Sequence, residues 1–273
     1  MVHPGAMGAS VGAALVGAGH AVWWVREGRS AATAARAKRA GLEAAEDLTA
    51  LVGRVEAVVS VCPPEAAETL AQSVMQAGFR GTFVDANAVS PATARAIGSI
   101  VRDAGGHFVD GGIVGPPAWR AGSTRLYLSG PDAPEVARWF DGGALDAIAI
   151  GDDPGAASAL KMCYASYTKG TSALLLAIRA LAAHEGVNDA LIAEWNRSQP
   201  GLPARSEGAA TGSAPKAWRF AGEMHEIARS FEEAGLPGGF FHGASELYER
   251  LAEFKDRDGV RLEEVVSRLL EKE

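Results

Sequence analysis

Residues 3–8 read His3-Pro4-Gly5-Ala6-Met7-Gly8 and lead into an Ala- and Val-rich stretch, then into the apolar run 21–25, AVWWV. Glycines in a turn between a strand and a helix let the backbone approach a pyrophosphate, whose charge the free N–H groups of the helix N-terminus favour. A complete G-x-G-x-x-G would place glycine at residue 3, where this chain has His3. The turn could be no more than a tight connection. Its setting between strand and helix favours a dinucleotide site built from His3, Pro4, Gly5, Ala6 and Met7. Ser10, further along, reads as a hydroxyl on the helix surface, and the first strand has room only for Met1 to His3.

Directly after the run 21–25 come Arg26, Glu27, Gly28, Arg29 and Ser30. At this strand end an acidic residue binds the ribose hydroxyls of NAD, whereas basic and hydroxyl groups receive the 2′-phosphate of NADP. Arg26 and Arg29 offer charge-assisted, bidentate bonds, and Ser30 can donate to phosphate as well as cap the next helix. NADP is therefore the expected cofactor. Glu27 keeps NAD open as the less favoured choice.

Cys62, with Pro63 and Pro64, follows the apolar run 55–61. No sequence pattern sets a base beside Cys62, so it reads as a small residue lining the cofactor cleft and not as a nucleophile. Asn87 stands at another strand end, where it could contact the nicotinamide ribose or carboxamide, or simply cap a turn. Two cysteines cannot form a disulfide framework, and the six histidines show no metal-ligand spacing with them, so no structural metal is expected.

The elements that must position these residues follow from patterning. Apolar residues make up 48% and charged residues 22% of the 273, which suits folded globular domains. β-rich runs at 21–25, 55–61, 81–86 and 107–112 alternate with Ala-rich helical stretches, as in repeated βαβ units. The runs are nearly continuous in apolar residues, as a parallel sheet covered on both faces requires. Further strands are expected at 125–130 and 146–151, flanking a helix near 133–140.

From Gly155 onward only helical periodicity remains, broken near 196–208, 211–215 and 234–239. The expected fold is α/β: an N-terminal Rossmann-type doubly wound sheet over 1–154, followed by an all-α domain over 155–273. That domain opens with a helix of about 156–184, more than twice the mean length. Leu160, Ala173, Leu174, Leu175, Ile178, Leu181 and Ala182 give this helix more apolar surface than a small domain can cover, so a homodimer is expected.

A net charge of -7 and a pI near 5.5 offer nothing to a polyphosphate backbone, so nucleic acid is not an expected partner. No apolar run reaches membrane-spanning length, because ALLLAI from Ala173 ends at Arg179. The start of the chain lacks a leader pattern, so cytoplasmic localisation is the expectation.

Taken in order, HPGAMG, VSVCPP, VDANAVSPATA, FVDGGIVGPP and PGAASALKM resemble the β-hydroxyacid dehydrogenase family, which includes 3-hydroxyisobutyrate and 6-phosphogluconate dehydrogenases. The later segments SALLLAIRALA, EWNRSQPGL and APKAWRFAGEMHEIA resemble an uncharacterised branch with its own C-terminal helical domain. The resemblance implies hydride exchange between a nicotinamide and a small hydroxy or carbonyl substrate, or an amine or imine. It implies that Lys161 is the catalytic lysine, and a lysine buried near a cofactor can serve as acid or base near neutrality. Lys169 reads, by contrast, as an ordinary surface lysine.

Two departures from the family pattern bear on the substrate. Four residues after the lysine the family has Asn and this chain has Ala165. Tyr164 and Thr168 are the polar residues on that helix face, with Tyr164 the catalytic candidate. At the substrate loop the family's Ser-Gly-Gly is replaced by Val114, Gly115 and Pro116, beside Gly112, so a hydroxyl that holds a carboxylate is missing. A non-catalytic dinucleotide sensor is the competing expectation, though a sensor has no need of Lys161. Trp195, Trp218, Arg219 and Phe220 could pack in the core of the helical domain or close the substrate pocket across a dimer interface, and core is the expectation for the two Trp side chains.

Overall fold

Val58 and Val59, Phe83 and Val84, Phe108 and Val109 are adjacent apolar pairs, and in the computed structural model, which describes residues 1–271, each pair splits across a sheet. One residue of each pair joins a core with Val11, Leu15, Val136 and Phe140. The other joins a core with Leu70, Val74, Ile97 and Val101. Successive side chains of a strand point to opposite faces, so continuous apolar runs produce a sheet covered on both sides.

The strands are β1 (Trp23–Val25), β2 (Glu43–Ala45), β3 (Ala57–Ser60), β4 (Thr82–Asp85), β5 (His107–Val114), β6 (Arg125–Ser129) and β7 (Asp146–Ala149). The helices are α1 (Ala6–Gly17), α2 (Ala31–Arg39), α3 (Leu48–Val52), α4 (Ala67–Gln76), α5 (Pro91–Asp103), α6 (Ala133–Arg138), α7 (Ala156–His184), α8 (Asn188–Ser198), α9 (Leu202–Ser213), α10 (Ala217–Glu233), α11 (Gly239–Arg250) and α12 (Leu262–Leu270). Ser30 caps α2 by accepting from Thr33 N, and Ser90 caps α5 by accepting from Thr93 N.

The sheet differs from the expected pattern in four respects. β1 and β2 form a separate parallel pair, and β3-β4-β5-β6-β7 form a five-stranded sheet. Residues 1–4 have no strand assignment. β2 was not foreseen, because Glu43 and Ala44 are exposed and carry no β signal of their own. β6 runs antiparallel to β5, since the loop 115–124 is shorter than the dozen or so residues a parallel crossover needs.

The chain divides into two compact units, Met1–Met162 and Cys163–Glu273, with the division inside α7. Among the described residues the second unit is helical throughout. Tyr248 is fully buried there, donating to Lys169 O at 2.8 Å and meeting Phe220 edge-to-face. Lys169 is not the solvated lysine its sequence context suggests. It pairs with Glu223 and lies 4.4 Å from the Phe220 ring centroid. Trp195 is buried, as expected, but Trp218 is exposed beneath Lys255. No helix among the described residues is long and apolar enough to cross a membrane.

Candidate active site

The glycine turn lies at the start of α1. Gly5 is the N-cap and offers no capping side chain, so the first N–H groups of α1 have no cap from it. A Cβ at Gly5 would meet nothing within 4 Å, whereas one at Gly8 would lie 2.3 Å from His3 O. Gly8 thus permits the helix to pack on the opening segment, and Gly5 leaves open the space in front of the helix. His3, Pro4, Ala6 and Met7 complete this turn. Ser10 is not on the surface: it is fully buried, donates to Met7 O and accepts from Ala118 N at 2.9 Å. It therefore ties the glycine helix to the loop after β5.

At the end of β1, Arg26 N donates to Ala45 O and Arg29 N to Arg26 O, which folds the segment into a turn. A pocket of about 350 Å³ opens here, lined by residues that include His3, Glu27, Arg29, Leu48, Thr69 and Ser73. Arg29 and its rival Glu27 thus border the same space, while Arg26 is exposed outside its lining. His3 Nδ1 is buried without a partner, and burial, reinforced by the Arg29 charge, holds the imidazole down to about 4. Arg36, which patterning did not single out, bonds Thr33 Oγ1 at 2.9 Å and Pro4 O at 3.4 Å, linking the capped start of α2 to the glycine turn. A helix N-terminus without a capping side chain and an opening in front of Gly5 fit a dinucleotide pyrophosphate.

The ends of β3 and β4 are held by Asn87, whose Oδ1 accepts from Cys62 N at 2.5 Å and whose Nδ2 donates to Ser60 Oγ and to Asp85. The Asn87 amide is 2% exposed, and these bonds join two strand ends and do not cap the turn that follows it. Burial pushes the Cys62 thiol up to about 12, so it is inert as a nucleophile at neutral pH. Pro63 stands just before the short turn Pro64–Ala66 that leads into α4.

Asp85 and Asp110 are register partners on β4 and β5, and both are fully buried. Burial first, and then the Asp110 charge, push the Asp85 carboxyl up to about 8, while one of its oxygens finds no partner. Between about pH 4 and pH 8 the folded chain keeps a proton that the unfolded chain releases, so stability falls as pH rises across that window. Asp85→Asn keeps an acceptor for Asn87 and removes this cost. Urea denaturation should show a gain on the order of 3 kcal/mol near pH 8 that vanishes near pH 4. A difference that does not vary with pH would reject this role.

Asp110 is held by donors. Its Oδ2 accepts from Gly155 N at 3.0 Å, Ser158 N at 2.9 Å and Ser129 Oγ at 3.1 Å, and its Oδ1 accepts from Ser158 Oγ at 2.6 Å. Apart from Ser129, which ends β6, these groups lie at the start of α7, which carries Lys161. The half-buried Lys161 donates from Nζ to Ile113 O at 2.8 Å. Gly112 lies directly under the helix, and Val114 is buried at the end of β5. Gly115 opens the loop that follows, and Pro116 O accepts from Thr124 Oγ1 at 2.5 Å, so the segment read as a substrate loop is a tied hairpin connection. Tyr164 and Thr168 belong to the second unit. Tyr164 is exposed, and Thr168 donates its hydroxyl to Tyr164 O.

Residues 2–137 match the NAD-binding domain of 6-phosphogluconate dehydrogenase, and residues 182–251 match a domain of unknown function, DUF1932. An uncharacterised 28.5 kDa protein of Methanothermus fervidus is 30% identical over 166 residues, which is 61% of this chain and 63% of that protein. The chain thus spans under two thirds of the length of that curated relative.

Among solved structures, the conserved protein MTH1747, of unknown function and structurally similar to 3-hydroxyacid dehydrogenases, is 27% identical with a TM-score of 0.68, covering 93% of this chain and 96% of that one. The Mycobacterium tuberculosis 3-hydroxyisobutyrate dehydrogenase with L-serine is 18% identical, with a TM-score of 0.72 and coverage of 99% and 100%. A reductive aminase of Aspergillus terreus, in complex with NADPH4, cyclohexanone and allyl amine, is 18% identical, with a TM-score of 0.56 and coverage of 98% and 99%.

The first unit is a Rossmann-type NAD-binding domain. The chain shares its fold with 3-hydroxyisobutyrate dehydrogenases, and its second unit carries the match to the domain of unknown function.

Proposed function

We propose that the protein is an NADP(H)-dependent oxidoreductase acting on a small hydroxy or carbonyl compound, or its amine or imine counterpart, with Lys161 moving the proton. The observation that carries this reading is Lys161 itself. A half-buried amine stands at the end of β5, where it donates to the Ile113 carbonyl beside Val114. When bound, the nicotinamide supplies or accepts the hydride. Lys161 gives a proton to the oxygen or nitrogen of the substrate in reduction and removes it in oxidation. Arg29 and Ser30 would hold the 2′-phosphate, with Arg26 beside them, and residues His3 to Met7 would hold the pyrophosphate.

Tyr164 and Thr168 are proposed as the polar groups that stand in for the family's Asn. Gly112, Val114, Gly115 and Pro116 shape the substrate end through backbone, with no hydroxyl for a carboxylate. Both cysteines are free, as suits a reducing compartment such as the cytoplasm. The test is a screen of hydroxy acids, ketones and imines with NADPH and NADH, following the absorbance of the reduced nicotinamide. Turnover of none of them with either cofactor would overturn the reading in favour of a sensor.

The second unit is proposed to be the dimerisation domain. Tyr167, Leu174 and Leu181 recur every seven residues on α7, so they share one face, and they are 62%, 44% and 62% exposed. Light scattering should give twice the chain mass of 28.2 kDa. Leu174→Glu with Leu181→Glu should return it to one chain, and a wild-type monomer would reject the dimer.

A further inference from the structure

We propose that Asp110 is the positioning residue of the site: its carboxylate caps α7 from the neighbouring strand and thereby sets where Lys161 presents its amine. The proposal rests on the reading of Lys161 as the proton carrier. The first N–H groups of a helix are usually satisfied by the side chain just before it. α7 is capped differently. Gly155 N and Ser158 N donate to Asp110, 45 and 48 residues away, and Ala157 N donates to Ser129 Oγ, which itself donates to Asp110. Asp110 and Ser129 are register partners on β5 and β6, so the cap belongs to the sheet and not to the helix.

A cap supplied by the sheet controls more than the end of the helix. It fixes how far α7 slides and how it is rotated against β5. Lys161 lies three residues beyond Ser158, within the same turn, so a slip of one residue would swing it by about 100° and about 1.5 Å. Gly112 removes the remaining freedom. It is two residues from Asp110 on the same face of β5, and a Cβ there would lie 2.6 Å from Ala157 O and 3.0 Å from Lys161 Cβ. The helix therefore rests on bare backbone, and the lysine amine reaches the next carbonyl, Ile113 O.

All four partners of Asp110 are donors, a demand that an ionised carboxylate, which only accepts, meets in full. An asparagine keeps one oxygen for the two backbone N–H groups, and its NH2 can donate to Ser158 Oγ. An alanine leaves every donor unmet. The two variants should therefore differ in a graded way.

The experiment is competitive acetylation with acetic anhydride across a pH series, read by peptide mass spectrometry at Lys161, with the exposed Lys38 and Lys216 as internal references. Only the unprotonated amine reacts, so rate and midpoint report the surroundings of the amine without any substrate. In Asp110→Ala the Lys161 midpoint should move by about half a pH unit or its rate change about threefold, with Lys38 and Lys216 unchanged. Asp110→Asn should restore most of the wild-type profile.

A folded Asp110→Ala with an unaltered Lys161 profile overturns the proposal. Should that variant fail to fold, Ser129→Ala with Ser158→Ala, which leaves the carboxylate but strips two of its donors, is read in its place by the same criterion. Labelling reports where the amine lies and not what it does, so this outcome is separate from the turnover of a Lys161 variant.

Discussion

Lys161→Met is expected to lower turnover about 100- to 10,000-fold, the range that a positioned acid or base contributes. The change removes the amine and preserves the length of the side chain, so α7 keeps its apolar stem against Gly112. The glycine turn, Arg29 and Ser30 lie on other elements, and the dissociation constants for NADPH and NADH should therefore stay within about a factor of two. The measurement is steady-state turnover on whichever compound the screen identifies, paired with a fluorescence titration of NADPH. Retention of most of the activity would remove Lys161 from the mechanism. A large loss of cofactor affinity would mean that the lysine serves binding and not the proton.

Arg29→Glu is expected to weaken NADPH about 30-fold and to leave NADH unchanged or slightly tighter, so that the preference reverses. A hydrogen bond to a charged group contributes about 1.5–3 kcal/mol, and Arg29 is exposed, which places the effect toward the lower part of that range. The replacement does more than delete a donor. It places a second carboxylate beside Glu27 at the pocket, and both would face a dianionic phosphate. Raising the salt concentration should shrink the NADPH effect, because an exposed charge pair is screened. Titrations of both cofactors against wild type and variant decide the matter, and equal wild-type affinities for the two would sink the NADP assignment.

Much of the fold was legible along the chain. Adjacent apolar pairs such as Phe83-Val84 and Phe108-Val109 announced a sheet buried on both faces, because a strand sends neighbours to opposite sides whatever surrounds it. The limits of α7, Ala156–His184, follow from unbroken helical patterning between two glycines, Gly155 and Gly186. Ser30 and Ser90 could be read as caps because capping is local, set by a hydroxyl and an N–H three residues on. Local rules, acting over a few residues, are the ones a sequence displays.

What the sequence left hidden depends on partners far along the chain. Ser10 reads as a surface hydroxyl until the chain brings Ala118 N to it from 108 residues away. Lys169 reads as solvated until α10 supplies Glu223 and Phe220. β2 exists because β1 offers it a ladder, not because Glu43-Ala44-Ala45 prefers to extend. The antiparallel turn of β6 was decided by the short, internally tied loop 115–124. Asp110 has no local signal at all, since a carboxylate becomes a cap only when another element's unpaired N–H groups arrive. The sequence by itself determined most of the strands and helices, though not β2, and that a glycine turn and a lysine were present. Only the tertiary structure decided which buried charges share a site and what holds the lysine in place, because hydrogen-bond satisfaction of buried groups is settled between elements and not within them.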